Sequence, residues 1–340
     1  MPPAGRTLRD QRMHTPMTPP THEDIVAARA RMEGRVVRTP MLRHPLLDER
    51  TGGTILLKPE TLQRTGSFKF RGATNAFLQL TDAQRRAGIA TYSSGNHGQA
   101  IACAAAAAGA KATVFMPADA PAIKVESTRR WGADIIQYNR ATEDRTALTT
   151  EFVHRTGATL IPPFEPPHVI AGQGTLALEL AEDAQTAGLT LDPLLVCTGG
   201  GGMIAGCALA LDGVSPATRL YSVEPAGWDD TARSLAAGER LSASGGSHLC
   251  DALLSPIPGE LTFAINRTHL AGGLSVTDDE VLAAMNFAFL HLKLVVEPGG
   301  AVCLAALLAG KFDARGKTVG AVLSGGNVDP AVSARALSAT

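Results

Sequence analysis

Apolar blocks recur along this chain at intervals that separate short strands from longer helices. Apolar runs at 89–93, 112–116, 134–138 and 158–161 predict strands. Between them lie an alanine-rich helix near 97–108 stopped by Gly109, one near 121–131 stopped by Gly132, and one near 142–155 stopped before Gly157. This alternation predicts a four-strand parallel α/β unit. Beyond the proline-rich stretch 162–167 a second series begins, with a helix near 170–184, a strand at 194–197, a glycine run, a helix and a strand at 220–223. The capping pattern Thr277-Asp-Asp-Glu280, a helix from about 298 to 309 and a last strand at 318–323 complete it. Helix starts are also expected at Thr21-His-Glu-Asp24 and Thr81-Asp-Ala-Gln84. The pattern predicts two parallel-sheet domains: a small one at 87–165, and a large one built from 21–86 and 166–340. Residues 1–20 are expected to form a flexible N-terminal tail.

Composition acts mainly by exclusion. Hydrophobic residues make up 45% of the chain and charged residues 19%, with a formal net charge of −1. Disorder is therefore not expected, and neither nucleic acid nor an anionic membrane is an implied partner. The substrate is expected to be small. Five cysteines stand far apart with no CxxC, which implies neither a disulfide framework nor a zinc site. There is no apolar run of 18 residues and no signal-peptide h-region, so a reducing cytoplasm is the expected location.

Four loops carry chemistry. Lys69 lies in Thr65-Gly-Ser-Phe-Lys-Phe-Arg-Gly-Ala73, where Phe68 and Phe70 can desolvate an amine and lower its pKa towards a neutral nucleophile. Ser93-Ser-Gly-Asn-His-Gly98 falls where a strand gives way to a helix, a place suited to an anion. Thr198-Gly-Gly-Gly-Gly-Met203 repeats that arrangement, and its glycines suit close approach to a phosphate. It also fits G-x-G-x-x-A at Gly200, Gly202 and Ala205 with Glu224 ending the next strand, which keeps a nicotinamide oxidoreductase open. Ser324-Gly-Gly-Asn327 is the fourth polar loop at the C-terminal end of a strand. Taken alone, Arg71, Arg145 and the histidines read as surface or capping groups.

Together with Ala171-Gly-Gln-Gly-Thr175, these motifs resemble, in their order, the fold-type II pyridoxal-phosphate serine/threonine dehydratases and serine racemases. The resemblance spans nearly everything after residue 21 and implies a cofactor in the cleft between two domains. It implies that Lys69 is the Schiff-base lysine and that Phe68 packs beside it. Asn96 would meet the ring hydroxyl, Gly199, Gly200, Gly201, Gly202 and Met203 the phosphate, and Ser324 the pyridine nitrogen. Ser93, Ser94, Asn96 and His97 would grip the substrate carboxylate, with Ser94 also matching the second-face catalytic group of racemases. The implied reaction removes water from a β-hydroxy amino acid of the serine, threonine or 3-hydroxyaspartate type, giving a 2-oxo acid and ammonia. Amino-acid racemisation is the alternative; an oxidoreductase or a non-catalytic cofactor carrier are the remaining ones.

Tyr221-Ser-Val-Glu-Pro-Ala-Gly-Trp-Asp-Asp230 resembles the metal site of the racemase branch, with Glu224, the Trp228 carbonyl and Asp230 as oxygen ligands for Mg²⁺ or Ca²⁺. A charged strand end is the plainer reading of the same residues. Phe164 stands where racemases have a polar residue, which leans towards the dehydratase. Ala252, within His248-Leu-Cys-Asp-Ala252, puts a methyl group near the expected pocket. Arg145 is placed to reach a second substrate carboxylate. A homodimer is expected.

Overall fold

The computed structural model describes residues 17–93 and 95–338. Its strands in chain order are β1 (Thr54–Pro59), β2 (Ile89–Tyr92), β3 (Ala112–Pro117), β4 (Asp134–Tyr138), β5 (Thr159–Leu160), β6 (Leu194–Cys197), β7 (Leu220–Pro225), β8 (Leu270–Val276) and β9 (Thr318–Leu323). They form two sheets, ordered β1-β9-β6-β7-β8 and β4-β3-β2-β5. Every pairing between these strands is parallel. Parallel strands need crossovers, and the crossover helices cover the sheet faces. That is why β6 and β9 read as nearly unbroken apolar runs: Leu194 to Cys197 and Val319 to Leu323 are all buried.

Local chemistry sets the helix starts. Thr21, Thr81 and Thr277 each close a capping box, accepting from the backbone three residues on while Asp24, Gln84 and Glu280 reach back. The predicted strands and helices are present, with ends shifted by a few residues. The fourth predicted strand shrinks to Thr159–Leu160. Strands β1 and β8 are additions. β1 carries a buried lysine, Lys58, which looks like a solvent position in the sequence. β8 is a half-exposed edge strand with Gly272 and Gly273 inside it, where a methyl group at Gly273 would come 2.5 Å from Ala232.

The Ala171–Thr175 motif is a packing device. It lies in the helix Pro167–Thr186, which crosses the helices Lys69–Leu78 and Gly202–Val214. A methyl group at Gly172 would come 2.7 Å from the Gly72 Cα, and one at Gly174 would come 2.4 Å from the Gly206 carbonyl oxygen. Gln173 accepts the Gly72 N–H at 3.1 Å. These close crossings bring the helices that begin at Lys69 and at Gly202 against one central helix. Gly172→Ala would force overpacking, which costs about 1–3 kcal/mol.

Beneath the Lys69 helix lies a buried ionic cluster. Arg71, fully buried, donates to Glu60 at 2.8 Å through two nitrogens and to Glu179 at 2.7 and 2.9 Å. Lys58 donates to Glu179 at 2.7 Å and to the Thr39 carbonyl. The expectation that Arg71 is a surface or capping group is thus corrected. Its guanidinium anchors the first turn of the helix to β1 and to the crossing helix.

Candidate active site

A cleft with a cavity volume of about 140 Å³ opens where β2, β6 and β9 end, so both sheets contribute their C-terminal edges. Open parallel sheets bind ligands at this edge. Lys69 opens its helix there. Its Nζ donates to the Pro163 carbonyl at 2.9 Å and lies 5.2 Å from the centre of the Phe68 ring. No carboxylate pairs with it among the described residues. Burial alone lowers its pKa to about 8, which places a fraction of neutral amine within reach at physiological pH. Phe70 turns away into the core beside the four-stranded sheet. Ser324 follows β9, and its carbonyl accepts the Phe68 N–H at 3.0 Å, so residues 256 positions apart are pinned side by side.

The glycine loop joins β6 to the helix Gly202–Val214. Each glycine meets protein where a side chain would stand. A methyl group at Gly200 would overlap the Phe164 ring, one at Gly199 would press on Leu253, and Gly201 combines φ 86° with Asn266 and Thr262 at its back. Thr262 and Asn266 donate to the carbonyls of Gly200 and Gly201. Among the described residues no acceptor takes the N–H groups of Gly199 to Met203. A bare amide row at a helix start, with its carbonyls tied back, is a phosphate cradle. Pyridoxal phosphate fits these residues: amides for its phosphate, a weakly basic buried lysine for its aldehyde, and the Ser324 hydroxyl for its ring nitrogen.

On the other wall, Asn96 is buried at the start of its helix. It donates to Glu297 at 2.5 Å and accepts from Asn327 at 2.9 Å. Ser93 lines the cleft, and its hydroxyl accepts the Gly95 N–H. His97 lines it too, but Nε2 lies 3.0 Å from the Ile161 carbonyl while Nδ1 is buried without a partner. Burial and the Lys69 charge lower its pKa to about 3, so it is a neutral imidazole. Ser94 lies outside the described residues.

At the mouth, the Arg145 guanidinium stacks 4.9 Å above the Tyr92 ring, and no carboxylate pairs with it among the described residues. Ala252 lines the cleft, as its position in the sequence suggests. Sequence reasoning missed Tyr92, Lys124 and Glu297, and gave no role to Asp251 and Asn327 within the motifs it singled out. Only contacts between distant segments single them out.

Glu224 and Asp230 come together, both fully buried. Glu224 accepts the N–H groups of Thr231 and Ala232 at 2.9 and 2.8 Å, capping the helix Asp230–Ala237. Among the described residues neither oxygen of Asp230 has a hydrogen-bond partner. Burial, then the neighbouring Asp230 charge, raises the Glu224 pKa to about 8; burial raises Asp230 to about 7. Trp228 donates its indole N–H to the Ser247 carbonyl. A buried Glu224 facing helix amides is not available to a ribose, which removes the oxidoreductase reading of the glycine loop.

The chain belongs to the pyridoxal-phosphate dependent enzyme family, whose model matches residues 32–325. Its fold is that of the fold-type II members. It is 44% identical over 309 residues to an L-threo-3-hydroxyaspartate ammonia-lyase of a Pseudomonas species, covering 91% of this chain and 96% of the relative. It is 39% identical to a serine racemase of Schizosaccharomyces pombe, with 91% and 95% covered. Among solved structures, maize serine racemase superposes with a TM-score of 0.87 at 35% identity, covering 94% of this chain and 97% of that one.

Proposed function

We propose that this enzyme eliminates water from a β-hydroxy amino acid, with L-threo-3-hydroxyaspartate as the preferred substrate, releasing ammonia and a 2-oxo acid. The observation that carries the choice of substrate is Arg145. A guanidinium held over Tyr92 at the mouth, without a carboxylate of its own, suits a substrate that brings a second one. The relatives named as hydroxyaspartate ammonia-lyases support the same choice.

Pyridoxal phosphate, when bound, supplies an electron sink for negative charge developing at the substrate Cα. Lys69 would hold it through Nζ, and the same amine is the base placed to take the α-proton. The glycine-loop amides would anchor the phosphate and Asn96 would face the ring. Ser324 would offer the ring nitrogen a neutral hydroxyl, which suits elimination better than a carboxylate would. Ser93 and the backbone at the start of the Asn96 helix receive the α-carboxylate. Phe164 lines the cleft against Gly200 and Gly202.

The proposal includes a divalent cation, Mg²⁺ or Ca²⁺, held by Glu224, Asp230 and the Trp228 carbonyl. Two buried carboxylates with raised pKa values and two unpartnered oxygens support it. It also includes a homodimer, supported by Phe289, Leu290 and Val295, apolar side chains exposed on neighbouring segments. A reducing cytoplasm fits five buried free thiols.

Ammonia and 2-oxo acid release across serine, threonine and the isomers of 3-hydroxyaspartate tests the reading, with wild type and Arg145→Met compared. Losing one charge-assisted contact should lower kcat/KM for L-threo-3-hydroxyaspartate about ten- to a hundredfold. Serine and threonine turnover should stay within about twofold, since neither carries the group that Arg145 serves. An equal loss on all substrates would return Arg145 to a structural role and remove the dicarboxylate preference.

A further inference from the structure

Glu297 is a fully buried carboxylate that the proposed chemistry does not use. It precedes the helix Pro298–Leu308, which packs on the five-stranded sheet, and only 1% of its side chain is exposed. Two side chains from the opposite side of the cleft converge on it. Asn96 donates to its Oε1 at 2.5 Å, and the Lys124 ammonium, 3% exposed, lies 3.0 Å from its Oε2. Lys124 also grips both oxygens of Asp251, at 2.7 and 3.0 Å. Asn96 and Lys124 belong to the helices Asn96–Ala106 and Ala122–Arg130, which flank the four-stranded sheet. Glu297 and Asp251 belong with the five-stranded one.

We propose that Glu297 is the positioning residue for the Asn96 carboxamide, and that Lys124, reaching the same carboxylate, makes this alignment complete only when the two walls of the cleft are closed. The proposal rests on the reading that Asn96 faces the cofactor ring.

A carboxamide has two faces that differ only in which end donates, so its orientation is set by its partners. Here Asn327 donates to Asn96 Oδ1 at 2.9 Å and is itself tied to the Thr65 carbonyl, while Glu297 takes one Nδ2 proton. The second Nδ2 proton is left for the cleft. The orientation holds as long as Glu297 Oε1 accepts from Asn96, with Lys124 meeting Oε2 as an ion pair at 3.0 Å. Burial pushes its pKa up, and Lys124 opposes that. Burial also works against the Lys124 ammonium, yet Glu297 and Asp251 outweigh it and raise its pKa. The Lys124 ammonium, 3.0 Å from Oε2, favours the ionised carboxylate, the form that accepts from Asn96. Moving the walls apart breaks both links at once, because both cross the cleft to one carboxylate.

The test uses reconstituted holoenzyme and reads its visible absorption, cofactor loss on dialysis and melting temperature. Wild type is compared with Asn96→Ala, Glu297→Gln and Lys124→Met, with the double variant Lys124→Met/Glu297→Gln, and with Asn96→Ala/Glu297→Gln. Glu297→Gln and Lys124→Met should move the absorption maximum in the same direction as Asn96→Ala and speed cofactor loss about tenfold, the scale of one hydrogen bond. In Asn96→Ala/Glu297→Gln the effects should not add, since Glu297 acts through Asn96. The double variant at 124 and 297 removes both fully buried charges and leaves unpaired only Asp251, whose side chain is 26% exposed, so it folds where a single one fails and must show the same shift. Unchanged absorption and retention in a folded variant, with only the melting temperature lowered, would overturn the proposal. Absence of a visible band in wild type would instead overturn the cofactor reading of Lys69.

Discussion

Two buried clusters of charge lie in this molecule at similar depth and differ in balance. Beneath the Lys69 helix, Arg71 and Lys58 face Glu60 and Glu179, two cations against two anions, tied by short hydrogen bonds. Although burial opposes it, Arg71 holds Glu60 below the usual carboxylate range, and Glu60 and Glu179 raise the guanidinium. Near the end of β7, Glu224 and Asp230 stand together with no ion-paired cation among the described residues, and burial raises both pKa values although the Arg233 charge opposes the rise at Asp230. Burial by itself therefore says little about the role of a charge. A balanced cluster is a completed piece of structure, whereas an unbalanced one has either a proton or a ligand still to be counted.

Removing one charge from the balanced cluster should have the largest effect on stability. Arg71→Met would leave two buried carboxylates facing only Lys58, and the expected loss is about 3–5 kcal/mol, read as a lower urea midpoint. A loss near zero would mean that the cluster hydrates on substitution and is not the anchor of the Lys69 helix.

Adding a charge to the unbalanced cluster should come next. Mg²⁺ or Ca²⁺ at about 100 times its dissociation constant would stabilise the native state by roughly 2.7 kcal/mol, seen as a raised Tm that a chelator reverses. Asp230→Asn should abolish the difference. Identical melting curves with and without cation would leave Glu224 as a helix cap and nothing more.

The smallest effect, taken per pH unit, is a pH slope, and its sign separates the clusters. Glu224 and Asp230 have folded pKa values of about 8 and 7, above their ordinary 4.5 and 3.8. Their contribution is present at pH values below the ordinary ones and is lost as pH rises through about 7 to 8. Glu60 runs the other way: its contribution is present above 4.5 and is lost as pH falls through its lowered folded value. In chelator, wild type should lose on the order of 1–2 kcal/mol per pH unit between pH 5 and 8 as the coupled pair ionises, and Asp230→Asn should flatten that slope. A slope unchanged by the substitution would assign it to other groups.

The motifs around the cleft were legible because each is local. A glycine run after an apolar strand, a Ser-Ser-Gly-Asn turn before an alanine-rich helix and a lysine between two phenylalanines each declare themselves within a few residues. The three threonine capping boxes were equally legible, since their bonds close within three positions. The groups that escaped notice depend on distant partners. Arg71 looks like a surface arginine until β1 and the crossing helix bring Glu60 and Glu179 to it from 11 residues before and 108 after. Glu297 and Lys124 look like ordinary charges at helix ends until the cleft walls meet.

By itself, then, beyond the cofactor that its motifs imply by family resemblance, the sequence determined the order of most strands and helices, the two-sheet class and the polar loops at strand ends. These follow from periodicity and from hydrogen bonds between near neighbours, which any chain of this pattern must satisfy. Tertiary structure alone decided which charges are buried, which of them are balanced, and which way the Asn96 carboxamide turns. The physical reason is that desolvation and Coulomb pairing are set by whatever surrounds a group in space, and here those neighbours lie up to about two hundred residues away along the chain.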